Sequence, residues 1–267
     1  TSSLSATGQT PAVLSAMPSP GVFADTVSGG AGNSIAFVLT NSGQTTTAPL
    51  AVTITGPEAA DFVRGIDGCQ GSTVAGAMTC TVAVQFLPRA TGTRNALLTV
   101  SGMGAVPATV VLTGRGLEPA QLQVSTMSLG FGSVAIGSSA TATIGVTNVG
   151  EAPSSLPMFS TTTAPEFTVS SNTCGTDVAP AENCSVTLRF APAALLNRTG
   201  TFTVLAVAGG MAGATLQGTG VTPGELTITP NTHDFSPVLV GQPSASPRDF
   251  TIVNNGGAAI LSPVVTL

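Results

Sequence analysis

Few side chains in this 267-residue chain could do chemistry. The candidates are four cysteines, one histidine and one close pair of carboxylates. Cys69 and Cys80 lie 11 residues apart, and Cys174 and Cys184 lie 10 apart. Cys174 follows Cys69 by 105 residues and Cys184 follows Cys80 by 104. The two pairs therefore occupy one place in two copies of a repeat. A zinc site would want closer Cys spacing and more histidine. Two local disulfides, Cys69–Cys80 and Cys174–Cys184, are expected instead, and they imply an oxidising compartment. Each closes a loop of about a dozen residues, worth roughly 3 kcal/mol in the chain-entropy account.

The histidine, His233, falls where the second copy has Leu129. An inward or half-buried strand position with a structural role is expected for it. Glu58 and Asp61 sit in Gly56-Pro57-Glu58-Ala59-Ala60-Asp61-Phe62, with a counterpart at Pro165-Glu166-Phe167. That pattern reads as a loop entering a strand rather than a general acid–base pair. The chain has no Lys, which removes phosphate loops of the G-x-x-x-x-G-K type. It also has no Trp or Tyr, the flat amphipathic rings on which many sugar sites stack their ligand. No catalytic residue, cofactor or metal is expected, and the chain does not read as an enzyme.

The elements that carry these residues repeat. Leu112-Thr113-Gly114-Arg115-Gly116 returns as Leu216-Gln217-Gly218-Thr219-Gly220, with a fainter copy at Leu4-Ser5-Ala6-Thr7-Gly8. Asn41-Ser42-Gly43, Asn148-Val149-Gly150 and Asn254-Asn255-Gly256 mark one turn three times. Within the second copy, Ala142, Ile144 and Val146 alternate onto one face, and Cys184 to Phe190 alternates strictly with Arg189 outward. About seven short strands with turn signals every 8–12 residues predict an all-β chain of tandem seven-stranded immunoglobulin-like sandwiches. Residues 1–8 are expected to be the terminal strand of a preceding domain. Two domains follow at 9–117 and 118–221, and 222–267 read as the opening strands of an incomplete one.

Leu122-Gln-Val124, Phe131-Gly-Ser-Val-Ala-Ile-Gly137, Asn148-Val-Gly150, Cys174-Gly175, Cys184 to Phe190-Ala-Pro192 and Leu216-Gln-Gly-Thr-Gly220 together form a pattern. It resembles the bacterial choice-of-anchor D repeats, which are similar to the Aspm–Spd–Hydin (ASH) immunoglobulin-like domains. The resemblance implies a non-catalytic, seven-stranded module of large secreted or surface proteins. In eukaryotic relatives such modules are associated with cilia and centrosomes. It implies no particular ligand.

Charged residues make up 7% of the chain, against about a quarter in ordinary soluble proteins, and the net charge is −5. Seven scattered Arg form no basic patch, so nucleic acid is not an expected partner. No apolar run approaches the roughly 18 residues of a membrane span. So neutral a surface suits burial against copies of the chain, in a homopolymer, or against other surface proteins. The joints Leu117-Glu118-Pro119-Ala120 and Val221-Thr222-Pro223-Gly224 each carry one proline and no flexible tract. The expected role is a structural module of an extracellular or cell-surface rod, stalk or filament. Two alternatives remain: a recognition module that binds a protein or glycan through its loops, and a spacer of a larger secreted enzyme. For recognition, loop 151–166 is the candidate, with Met158 and Phe159 as contact residues.

Overall fold

The structure is a computed structural model that describes residues 2–162, 165–243 and 247–266. Two compact units divide the chain: Thr1–Pro119 with Gly150–Ala152, and Ala120–Val149 with Pro153–Leu267.

The first unit holds β1 (Leu14–Met17), β2 (Gly21–Val22), β3 (Thr26–Val27), β4 (Ser34–Asn41), β5 (Ala51–Thr55), β6 (Phe62–Asp67), β7 (Thr79–Phe86), β8 (Gly92–Ser101) and β9 (Ala108–Leu117). One sheet runs β1-β4-β7-β6 and the other β2-β9-β8-β5, with β3 also on β9. All pairings are antiparallel except those of β2 and β3, which run parallel to β9. The first strand is thus split between the sheets, and Pro18 and Pro20 lie at the crossing, where no ladder N–H is needed.

The second unit repeats the plan with β10 (Leu122–Val124), β11 (Ser128–Ala135), β12 (Ala140–Asn148), β13 (Met158–Thr161), β14 (Phe167–Asn172), β15 (Asn183–Phe190), β16 (Leu196–Ala206) and β17 (Gly210–Val221). Its sheets are β10-β12-β15-β14 and β11-β17-β16-β13, with β11 parallel to β17. Both units are immunoglobulin-like β-sandwiches.

Period-two alternation builds the cores. Strand β7 buries Val82, Val84 and Phe86, and β15 buries Val186, Leu188 and Phe190, while Arg189 points out. Each core centres on three rings: Phe23, Phe62 and Phe86 in the first unit, with centroids 5.1–5.8 Å apart, and Phe131, Phe167 and Phe190 in the second, 4.7–5.6 Å apart. Burial of one such side chain contributes about 1.5–3 kcal/mol.

Beyond β17 the chain forms β18 (Leu226–Thr229) and β19 (Thr251–Asn254), an antiparallel pair exposed on both faces. Leu226 faces Asn254 just as Leu122 faces Asn148 in the second unit. Residues 2–8 are exposed and form no strand. His233 differs from its expected position: it is exposed, outside any strand, and stands edge-on to Phe235 at 4.6 Å. Its counterpart strand β11 is held by parallel pairing to β17. Among the described residues no strand lies beside 231–240 in that way, so nothing draws His233 inward.

Candidate functional site

Of the side chains that sequence reasoning weighs for chemistry, the four cysteines are paired in disulfides and Glu58 and Asp61 hold backbone or an Arg, while His233 contacts Phe235. In each unit the structural side chains gather at three places.

The first is the hairpin of β6 and β7, and its counterpart of β14 and β15. Cys69, just past β6, bonds Cys80 on β7, and Cys174, just past β14, bonds Cys184 on β15. No free cysteine occurs among the described residues. An acceptor caps each loop before its cysteine. Asp67 Oδ1 accepts from the Cys69 and Gln70 N–H groups at 2.9 Å, and Asn172 Oδ1 accepts from the Cys174 N–H at 3.1 Å. The burial is mirrored: Cys69 is buried in the first unit and Cys184 in the second.

The second is the recurrent asparagine. Asn41 is wholly buried at the end of β4. Its Oδ1 accepts from Val13 N–H at 3.2 Å and Gly43 N–H at 3.0 Å, while Nδ2 donates to the Thr45 and Val74 carbonyls at 2.8 and 3.0 Å. Asn148 likewise accepts from Gln121 N–H and donates to Val178 C=O. Asn254 accepts from Glu225 and Gly256 N–H and donates to Ala258 C=O. What reads in sequence as a turn marker is a side chain that ties together segments with no ladder partner of their own.

The third place is a clasp that sequence reasoning missed. Asp61 and Glu166, each immediately before a core Phe, are nearly fully buried. Asp61 Oδ2 accepts from Arg94 Nε at 2.6 Å, and its backbone carbonyl takes Leu87 N–H. Glu166 accepts from Arg198 Nε and Nη2 at 2.8–3.1 Å and from Ala193 N–H at 2.9 Å, while its carbonyl takes Ala191 N–H. The Arg198 guanidinium, then the Ala193 N–H, hold the Glu166 carboxyl below its usual range, against the opposing effect of burial. Each clasp pins the turn after Phe-x-Pro. Glu58, the other member of the sequence pair, instead accepts from Asn95 N–H at 3.1 Å. The signal was present as an acid before Phe and an Arg 33 or 32 residues later, but only the fold brings them together.

The same turn explains the terminal Gly-x-Gly. A Cβ on Gly114 would lie 2.6 Å from the Phe86 ring, and one on Gly218 would strike the Phe190 ring. A Cβ on Gly116 or Gly220 would collide with the carbonyl of Ala90 or Ala194. Both glycines are needed for close approach, not for turning.

Met158 and Phe159 lie on a strand, β13, rather than in a loop, and they part company. Phe159 turns inward onto Phe202, with centroids 6.2 Å apart, while Met158 is 57% exposed on the edge strand beside Leu205. Four residues flanked by prolines were too short for the alternation to register. Residues 163–164 of that segment lie outside the described residues. Among the described residues no group of three or more His, Cys, Asp or Glu side chains could hold a metal ion. No helix among them is long and apolar enough to cross a membrane.

Residues 119–210, the body of the second repeat, match the family model described as ASH, abnormal spindle-like microcephaly-associated, ASPM-SPD-2-Hydin. No curated protein matches the chain. Among solved structures it is similar to a protein of unknown function from Porphyromonas gingivalis W83 (13% identity, TM-score 0.33, covering 77% of this chain and 99% of that one). It is also similar to the extracellular cadherin domains 1–4 of protocadherin gamma B7 (10% identity, TM-score 0.47, covering 94% and 60%). A third similarity is to the ASH/PapD-like domain 7 of human CEP192 (16% identity, TM-score 0.28, covering 39% and 85%).

Proposed function

We propose that the chain is a non-catalytic structural module of an extracellular or cell-surface rod, stalk or filament. One observation carries this reading: the buried polar groups of both sandwiches serve the scaffold. The buried Asn41, Asp61, Asn148 and Glu166 are all bonded to backbone or to a clasping Arg. No buried side-chain N or O atom among the described residues lacks a partner. An active site keeps some such groups available to substrate. Two disulfides support an oxidising location, and the ASH match over 119–210 supports a modular role.

Immunogold labelling of intact source cells tests the proposal. Label on external fibres or stalks is the expected result. Label confined to the cell interior, on protein with four reduced cysteines, would overturn it.

A further inference from the structure

The first unit carries a groove whose chemistry the second does not repeat. It runs along the flank between β5 and β6, edge strands of opposite sheets. Ile54, Ala59, Phe62 and Val63 line it, together with the exposed Arg64 and Arg89. Register equates Phe62 with Phe167 and Pro88 with Pro192, so the counterparts of the two arginines are Val169 and Ala193. The fold therefore does not require a positive charge at either position.

The nearby carboxylates already have donors. Asp61 is clasped by Arg94, Glu58 takes Asn95 N–H, and Asp67 takes Cys69 and Gln70 N–H and Arg64 Nη1. Among the described residues the Arg64 side chain bonds through Nη1, to Asp67 and Gln70, and its other edge meets no acceptor. The exposed Arg89 guanidinium meets no acceptor among the described residues; only its backbone N–H is bonded, to Asp61.

The lining also offers a backbone N–H, at Ile54. Val52 N–H points away from β8, because Gln70 Oε1 accepts it at 2.8 Å. In an antiparallel ladder without a bulge, Ile54, two residues on, points the same way. Its N–H meets no acceptor among the described residues. The 70–72 loop takes the start of the β5 edge, at Leu50 and Val52, and leaves its Ile54 end; that end, an apolar lining and two exposed guanidiniums match a short extended segment with acidic side chains.

We propose that this flank of the first unit docks an extended acidic peptide segment of another protein, laid along β5 with its carboxylates on Arg64 and Arg89. The test is an NMR titration of the 15N-labelled chain with an acetylated, amidated Val-Asp-Val-Asp-Val peptide. The same sequence with Asn for Asp serves as the neutral control. The expected result is saturable shifts confined to residues 52–55, 62–64 and 89. Binding should weaken about 2–5-fold for each charge removed, by the Asn peptide or by Arg89→Gln or Arg64→Gln. Because Arg89 is exposed, its variant keeps the fold, which an unchanged spectrum elsewhere verifies. Equal binding of the Asp and Asn peptides, or no shift on this flank at millimolar peptide, would overturn the proposal. So would shifts of the same residues on concentrating the protein alone, which would make a second copy the occupant.

Discussion

In the first unit the large ring on the second strand is Phe37, on β4, and Gly21 lies against it; a Cβ there would be 2.5 Å from the ring. In the second unit, register puts Ile144 and Leu129 at those two positions. The opposite exchange occurs elsewhere in the core. Leu98 faces Val110 in the first unit, where Phe202 faces Ala214 in the second. In both places one unit sets a ring against a small residue where the other sets two aliphatic residues together, so bulk is redistributed within the pair as the side chains change. Against this variation stand features that do not vary: the ring trio, the acid–Arg clasp, the buried Asn, the Gly-x-Gly contact and the hairpin disulfide. The clasp and the buried Asn hold backbone that has no ladder partner, and the rings and glycines set the contact between the sheets. The variable ones only fill space, or line a surface, as Arg64 and Arg89 do.

The largest effect should come from the invariant rings. Phe86→Ala and Phe190→Ala should each cost about 3–5 kcal/mol, and each in its own unit alone. Hydrogen exchange resolved by unit checks this; loss of protection in the untouched unit would break the comparison. Next comes reduction of the disulfides. Loops of 11 and 10 residues should lose similar stability, roughly 3 kcal/mol each, measured by chemical denaturation with and without reductant.

The clasps should come third. Glu166→Gln should cost about 1.5–3 kcal/mol in the second unit, since bonds to charged groups are lost. The folded carboxyl lies below its usual range, so its stabilisation is fully present above the unfolded value of about 4.3. It is lost as pH falls through the lowered folded value. A wild-type acid-unfolding curve should therefore flatten in Glu166→Gln below about pH 4.3, relative to wild type.

Smaller still is the coupling within a volume pair. Gly21→Leu alone overpacks the first core by about 1–3 kcal/mol, and Phe37→Ile should relieve much of that. A double-mutant cycle with coupling near zero would show that the pairs are not compensating. The smallest effect should be on catalysis. Glycosidase, esterase and protease substrates should read at background, and His233→Ala should change nothing.

How much of this was legible depended on distance along the chain. The alternation in β15, the cysteine recurrence and the Asn-x-Gly turns are local, and the sandwich follows from them. Strand β13 was hidden because it is four residues long and none of them is fully buried, so no alternation of buried and exposed positions marks it. The clasps were hidden because Asp61 and Arg94, or Glu166 and Arg198, meet only when β8 or β16 crosses back over the loop. Pairing the acid with Glu58 followed sequence proximity, whereas the fold selects position before Phe62. His233 was misplaced because the equivalence with Leu129 carried over a position but not the neighbouring strand.

The central claim is that each sandwich is locked locally by its own cysteines in an oxidising environment, with no thiol held for chemistry. Non-reducing peptide mapping of the chain from its native source tests this most directly. The account predicts Cys69 joined to Cys80 and Cys174 joined to Cys184, with no free thiol. A Cys69–Cys174 bridge, bound metal or reduced cysteines would contradict it.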